Sequence, residues 1–162
     1  MNKNQSVSTE NQMRKKEATE WMRYAKEDYN LVQHLYRGDY YPKPLEIICY
    51  HCEQATEKAI KALIVDLGKQ GGLPQKHDLE FLLSQIKNIL LKDRGITVTD
   101  DMREWAERMS DFAVNVRYPN EMQIDEYITK WAVEKWNSSM NGFLMLWIEE
   151  QRIMSRQHWT DD

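Results

Sequence analysis

The chain has 162 residues, 22 Lys and Arg against 26 Asp and Glu for a net charge of -4, and a 41% apolar and 30% charged composition. That length sustains one hydrophobic core without disulfides or a structural metal, and the apolar share excludes an intrinsically disordered chain. The acidic balance excludes general coating of nucleic acid, which needs a basic surface, and the longest uncharged run, Trp136 to Ile148, is too short and too polar to span a bilayer.

Residues Met1 to Gln12 carry no apolar segment of a secretory signal. The only cysteines, Cys49 and Cys52, cannot build a disulfide framework and fit a reducing compartment, so a cytoplasmic location is expected. Glycines and prolines are sparse and cluster at Gly38 to Pro44, Gly68 to Pro74, Gly95 and Pro119, which marks the breaks between elements. Residues 1–16 are polar and are expected to form a flexible tail, ahead of a helical domain over 17–150 and a mobile C-terminal tail over 151–162.

From 17 to 37, Ala18, Trp21, Ala25, Tyr29, Val32 and Tyr36 recur at steps of three and four, which predicts a first amphipathic helix. The pattern returns over 45–67 in Leu45, Ile48, Cys49, Cys52, Ala55, Ala59 and Leu63, closed by Gly68 as a left-handed cap. Asp78 reads as the N-cap of a third helix with Leu79, Leu82, Leu83, Ile86 and Leu90 on one face. A fourth helix from about Asp100 aligns Met102, Trp105, Ala106, Met109, Phe112, Ala113 and Val116, and Pro119 ends it. Asp125 opens a fifth, carrying Ile128, Ala132, Trp136, Met140, Phe143 and Trp147. No strand pattern competes, and the connections predict an all-α fold, an up-and-down antiparallel bundle of about five helices.

Few residues stand out chemically. Cys49, Tyr50, His51 and Cys52 look like half of a zinc or redox motif, but no second cysteine pair exists, and both thiols fall on an apolar helical stripe. No metal site and no cofactor are expected. Gly68-Lys69-Gln70-Gly71-Gly72 lacks the Ser or Thr and the preceding strand of a phosphate loop, and reads as a turn. His34 and His51 lack a flanking ligand set. His77 stands directly before the capping Asp78, where an imidazole serves as a structural latch or as a functional group. Arg117 ends an apolar helix just before Pro119, and its fixed charge suits either the last helical carbonyls or an anion.

The stretch Tyr50-His51-Cys52-Glu53-Gln54-Ala55-Thr56-Glu57-Lys58-Ala59-Ile60-Lys61-Ala62-Leu63, followed by His77-Asp78-Leu79 and Arg117-Tyr118-Pro119, resembles the HEPN domain family of prokaryotic helical proteins. The resemblance runs from about Trp21 to Ile148. It implies a dimeric bundle found beside or fused to minimal nucleotidyltransferases in toxin–antitoxin-like pairs. It also implies, for some members, metal-independent ribonuclease activity through an arginine and a histidine spaced by four to six residues. Here the positions four to six beyond Arg117 are Met122, Gln123 and Ile124, none of which can act as a general acid or base. The pair Arg152 and His158 meets the spacing but lies in the polar C-terminal tail.

These features lead to an expected non-catalytic, homodimeric module that binds a nucleotide or other small anion, a minimal nucleotidyltransferase, or both. Its expected ligand residues are Glu57, Lys61, His77, Arg117 and Tyr118. Lys61, His77 and Arg117 converge toward one end of an antiparallel bundle, Tyr118 is available to stack, and Glu57 lies one turn from Lys61. The alternative is a ribonuclease using Arg117 or the Arg152 and His158 pair. Six Trp, nine Met and eight Tyr exceed what one core of this size consumes and point to a helical interface with a second copy.

Overall fold

The computed structural model describes residues 3–68, 73–95, 97–117 and 123–138, with side chains except at 3–8, 89–90, 93–94 and 115–117. The described residues form five helices and no strand: α1 Lys3–Arg37, α2 Leu45–Asp66, α3 Leu79–Arg94, α4 Asp100–Arg117, and α5 over 126–138. The expected all-α bundle is the fold of this chain.

Local chemistry sets the helix ends. The Asp78 carboxylate accepts the Phe81 N–H at 2.9 Å, Thr99 Oγ1 that of Met102 at 3.2 Å, and the Asp125 carboxylate that of Ile128 at 2.7 Å, capping α3, α4 and α5. Gly68 closes α2 with φ +60, a conformation that favours glycine, and donates its N–H to the Val65 carbonyl at 3.0 Å. The Asp78, Asp125 and Gly68 expectations therefore hold. The start of α1 differs, since the helix begins at Lys3 rather than at residue 17. No Pro or Gly interrupts 3–16, so helix continues there, whereas among residues 9–18 the first buried side chain is Ala18. An apolar stripe marks where a helix packs, not where it starts.

α2 lies at the centre and packs against α1, α3 and α4. α1 and α2 are antiparallel: Asp28 of α1 meets His51 and Lys58 of α2, and the Arg14 guanidinium reaches Gly68 at the far end of α2. α4 and α5 are antiparallel as well, with Lys135 on Asp101 at 3.1 Å and the Trp105 indole N–H donated to the Ala132 carbonyl at 3.1 Å. Cys49 and Thr56 of α2 meet Thr129 and Trp136 of α5, so these two helices lie side by side in the same sense.

The core is filled by Met22, Ile48, Ile60, Leu82, Leu83, Ile86, Met109 and the two largest buried side chains, Trp105 and Trp136. Both indoles find an acceptor, as a buried N–H requires; that of Trp136 is Thr56 Oγ1 at 2.9 Å. Cys49 and Cys52 are fully buried among these residues, as expected. Burial pushes the Cys49 thiol up to about 11, against the hydrogen bond to Thr129, and holds the Cys52 thiol well above its ordinary value, so neither is a nucleophile at neutral pH. Among the described residues no helix is long and apolar enough to cross a membrane.

Candidate functional site

Glu57 and Lys61 stand one turn apart on α2, on the side that meets α1 and the connection leading to α3. The Lys61 ammonium donates to Glu57 Oε1 at 2.5 Å and sits 5.3 Å from the centre of the Trp21 ring on α1. Both side chains are sealed off, 5% exposed for Glu57 and 7% for Lys61. A buried charge is tolerated only when paired and hydrogen-bonded, and Glu57 satisfies its second oxygen through Nδ1 of His77 at 2.9 Å. The two expected ligand residues thus form an interior ion pair.

His77 reaches Glu57 because the chain leaving α2 turns back along it before α3 begins. The start of α3 is tied to α4, whose Ser110 Oγ accepts the Leu79 N–H at 2.9 Å and donates to the Ala106 carbonyl at 3.0 Å. His77 is held from beneath by a buried carboxylate, yet its side chain is 61% exposed. With Nδ1 engaged by Glu57, Nε2 is the nitrogen that remains for a ligand. Beside it, the Lys76 ammonium lies 4.4 Å from the centre of the Phe81 ring. Lys76 escaped the sequence reading; its only signal was a cation adjacent to His77.

The structure therefore gathers Glu57, Lys61 and His77, three of the five expected ligand residues. Lys61 contributes no free cation, because Glu57 neutralises it, and the member that faces water is the His77 ring. Arg117 is the last residue of α4, two turns beyond Ser110. Its side chain, and Tyr118, Arg152, His158, Pro119, Met140, Phe143 and Trp147, lie outside the described residues.

A second polar cluster was not expected. Asp28, on α1, accepts from His51 Nδ1 at 2.9 Å and from the Lys58 ammonium, both on α2. Burial pushes its carboxyl up, and the two hydrogen bonds with their charges more than offset this, so it titrates below the usual 3.8. His51, read as lacking a flanking ligand set, is 23% exposed and works inside this clamp. Among the described residues no group of three or more His, Cys, Asp and Glu side chains is placed to hold a metal ion.

The family model described as HEPN domain matches residues 18–151. No curated protein and no solved structure matches the chain.

Proposed function

Because the chain belongs to the HEPN domain family, we propose that it is a non-catalytic, dimeric binding module of that family, acting in the cytoplasm on a nucleotide or other small anion and on a minimal nucleotidyltransferase. The observation that supports this reading is His77: a ring anchored from below by the buried Glu57, 61% exposed, with the Lys76 cation beside it. An imidazole fixed at Nδ1 presents Nε2 in one orientation, so little side-chain entropy is lost when it meets a phosphate or carboxylate oxygen. Glu57 and Lys61 act as its support, and this reading also assigns Arg117 and Tyr118 to the ligand. This reading concentrates recognition where the connection before α3 meets α2 and α4.

Titration calorimetry of ATP, GTP and inorganic phosphate against wild type, His77→Ala and Arg117→Ala tests it. Wild type binds one of the three, and each substitution weakens binding at least about tenfold while the melting temperature holds within a few degrees. No binding of any of the three overturns the anion part of the reading. Metal-independent cleavage of RNA by the pure protein replaces it with the ribonuclease alternative.

A further inference from the structure

α4 and α5 leave between them a cavity of about 270 Å³ lined by Arg108, Asp111, Phe112, Tyr127, Ile128 and Trp131. Small-molecule sites run from roughly 300 to 1,000 Å³, so this one suits an inserted side chain better than a free ligand. Its lining includes the exposed Tyr127, 78% open to water, and Val114, one turn beyond Asp111 on α4, is 61% exposed. Its charges are underused. The Arg108 guanidinium lies 4.8 Å from the centre of the Trp131 ring and, among the described residues, pairs with Glu104 across an open 3.9 Å. Asp111 has no hydrogen bond or ion pair among the described residues.

Arg108 and Asp111 are three residues apart and share one face of α4. A second α4 laid antiparallel across that face, about a twofold axis midway between the two positions, sets Arg108 of each copy opposite Asp111 of the other. One helix face then supplies both members of two identical ion pairs, the self-complementarity that a twofold interface demands. We infer that the α4–α5 face carrying Arg108, Asp111, Val114 and Tyr127 is where a second copy of this chain docks. This rests on the dimeric reading above and gives it a location. The exposed Tyr127 and Val114 supply the apolar centre that such an interface buries, and the charge pairs set its register.

Sedimentation velocity on the full chain decides it, using wild type, Arg108→Glu, Asp111→Arg, the double swap and Tyr127→Ala. Wild type is a dimer at micromolar concentration. Each single reversal places two like-charged pairs across the axis and raises the dissociation constant at least about tenfold, whereas the double swap returns it to within about threefold of wild type. Tyr127→Ala, which changes no charge, weakens the dimer too. A wild-type dimer that both reversals and Tyr127→Ala leave intact overturns this face while the dimeric reading stands. A double swap as weak as the single reversals overturns the pairing. Wild type that remains monomeric at about 50 µM, far above a micromolar dissociation constant, overturns both the face and the dimer.

Discussion

Asp28 and Glu57 are each bracketed by one lysine and one histidine, yet the two clusters do different work. Asp28 stands on α1 while His51 and Lys58 stand on α2, so its two bonds clamp one helix to another. Glu57 finds its lysine on its own helix, one turn away, and the bond that leaves α2 is the one to His77. The first arrangement keeps its histidine largely inside; the second pushes it outward. The same three side-chain types thus give a clasp when the carboxylate and its partners sit on facing helices. They give a presented ring when the carboxylate is already neutralised within its own helix.

That contrast is broken most severely at Glu57. Replacing it with alanine leaves the Lys61 ammonium, 7% exposed, without a counter-charge. Loss of one partner from a buried ion pair costs about 3–5 kcal/mol, because the survivor keeps its desolvation penalty. Urea unfolding of Glu57→Ala should show a loss of that size, and Glu57→Gln, which keeps one acceptor oxygen for Lys61 but turns an NH2 donor toward His77, a smaller one. A loss below about 1 kcal/mol for Glu57→Ala would mean that water reaches Lys61 and that the pair is a surface one.

Asp28→Ala comes next, at about 1–3 kcal/mol, since His51 and Lys58 keep part of their surface in water and can be rehydrated. This substitution also carries a pH signature. The folded-state carboxyl titrates below its ordinary 3.8, so its contribution is complete above that value and is lost as pH falls through the folded value. The stability difference between wild type and Asp28→Ala should therefore be flat near neutrality and shrink below about pH 4. A difference that grows on acidification would show that Asp28 is not held by cations. His51→Ala should cost less, about 1 kcal/mol, because Lys58 still holds the carboxylate.

What the sequence disclosed follows from the range over which each interaction acts. Asp78, Asp125 and Gly68 cap helices through bonds to their own neighbours, so their roles were legible directly. The Glu57 and Lys61 pairing was legible for the same reason, being one helical turn. Its burial was not, because that depends on Trp21 of α1 covering the lysine. Asp28 was unreadable: an acid on one helix and two bases on another look like solvated faces until the helices are packed. The His77 bond to Glu57 spans 20 residues and exists only because the chain doubles back along α2. A latch and a functional group look alike at that distance, and the structure shows a latch whose ring stays open to water. The start of α1 was misplaced because amphipathic period reports packing: residues 3–16 are helical, and those with described side chains, 9–16, carry no buried residue.

The smallest expected effect on stability separates the two clusters most sharply. His77→Ala removes one hydrogen bond to Glu57, but the ring is mostly in water and Lys61 remains on the carboxylate, so the loss should stay within about 0.5 kcal/mol. The corresponding change at His51 removes a largely buried ring from between two helices and should cost more. Ligand binding should order the two the other way: His77→Ala weakens it and His51→Ala leaves it alone. Nitrogen-15 spectra of the imidazoles give the structural half of this prediction without any ligand. In the neutral form His77 should carry its proton on Nδ1, donated to Glu57, and Glu57→Ala should release that preference. Were His77 found with its neutral proton on Nε2, Glu57 would not be setting the orientation, and an exposed histidine would have no more claim on a ligand than any other.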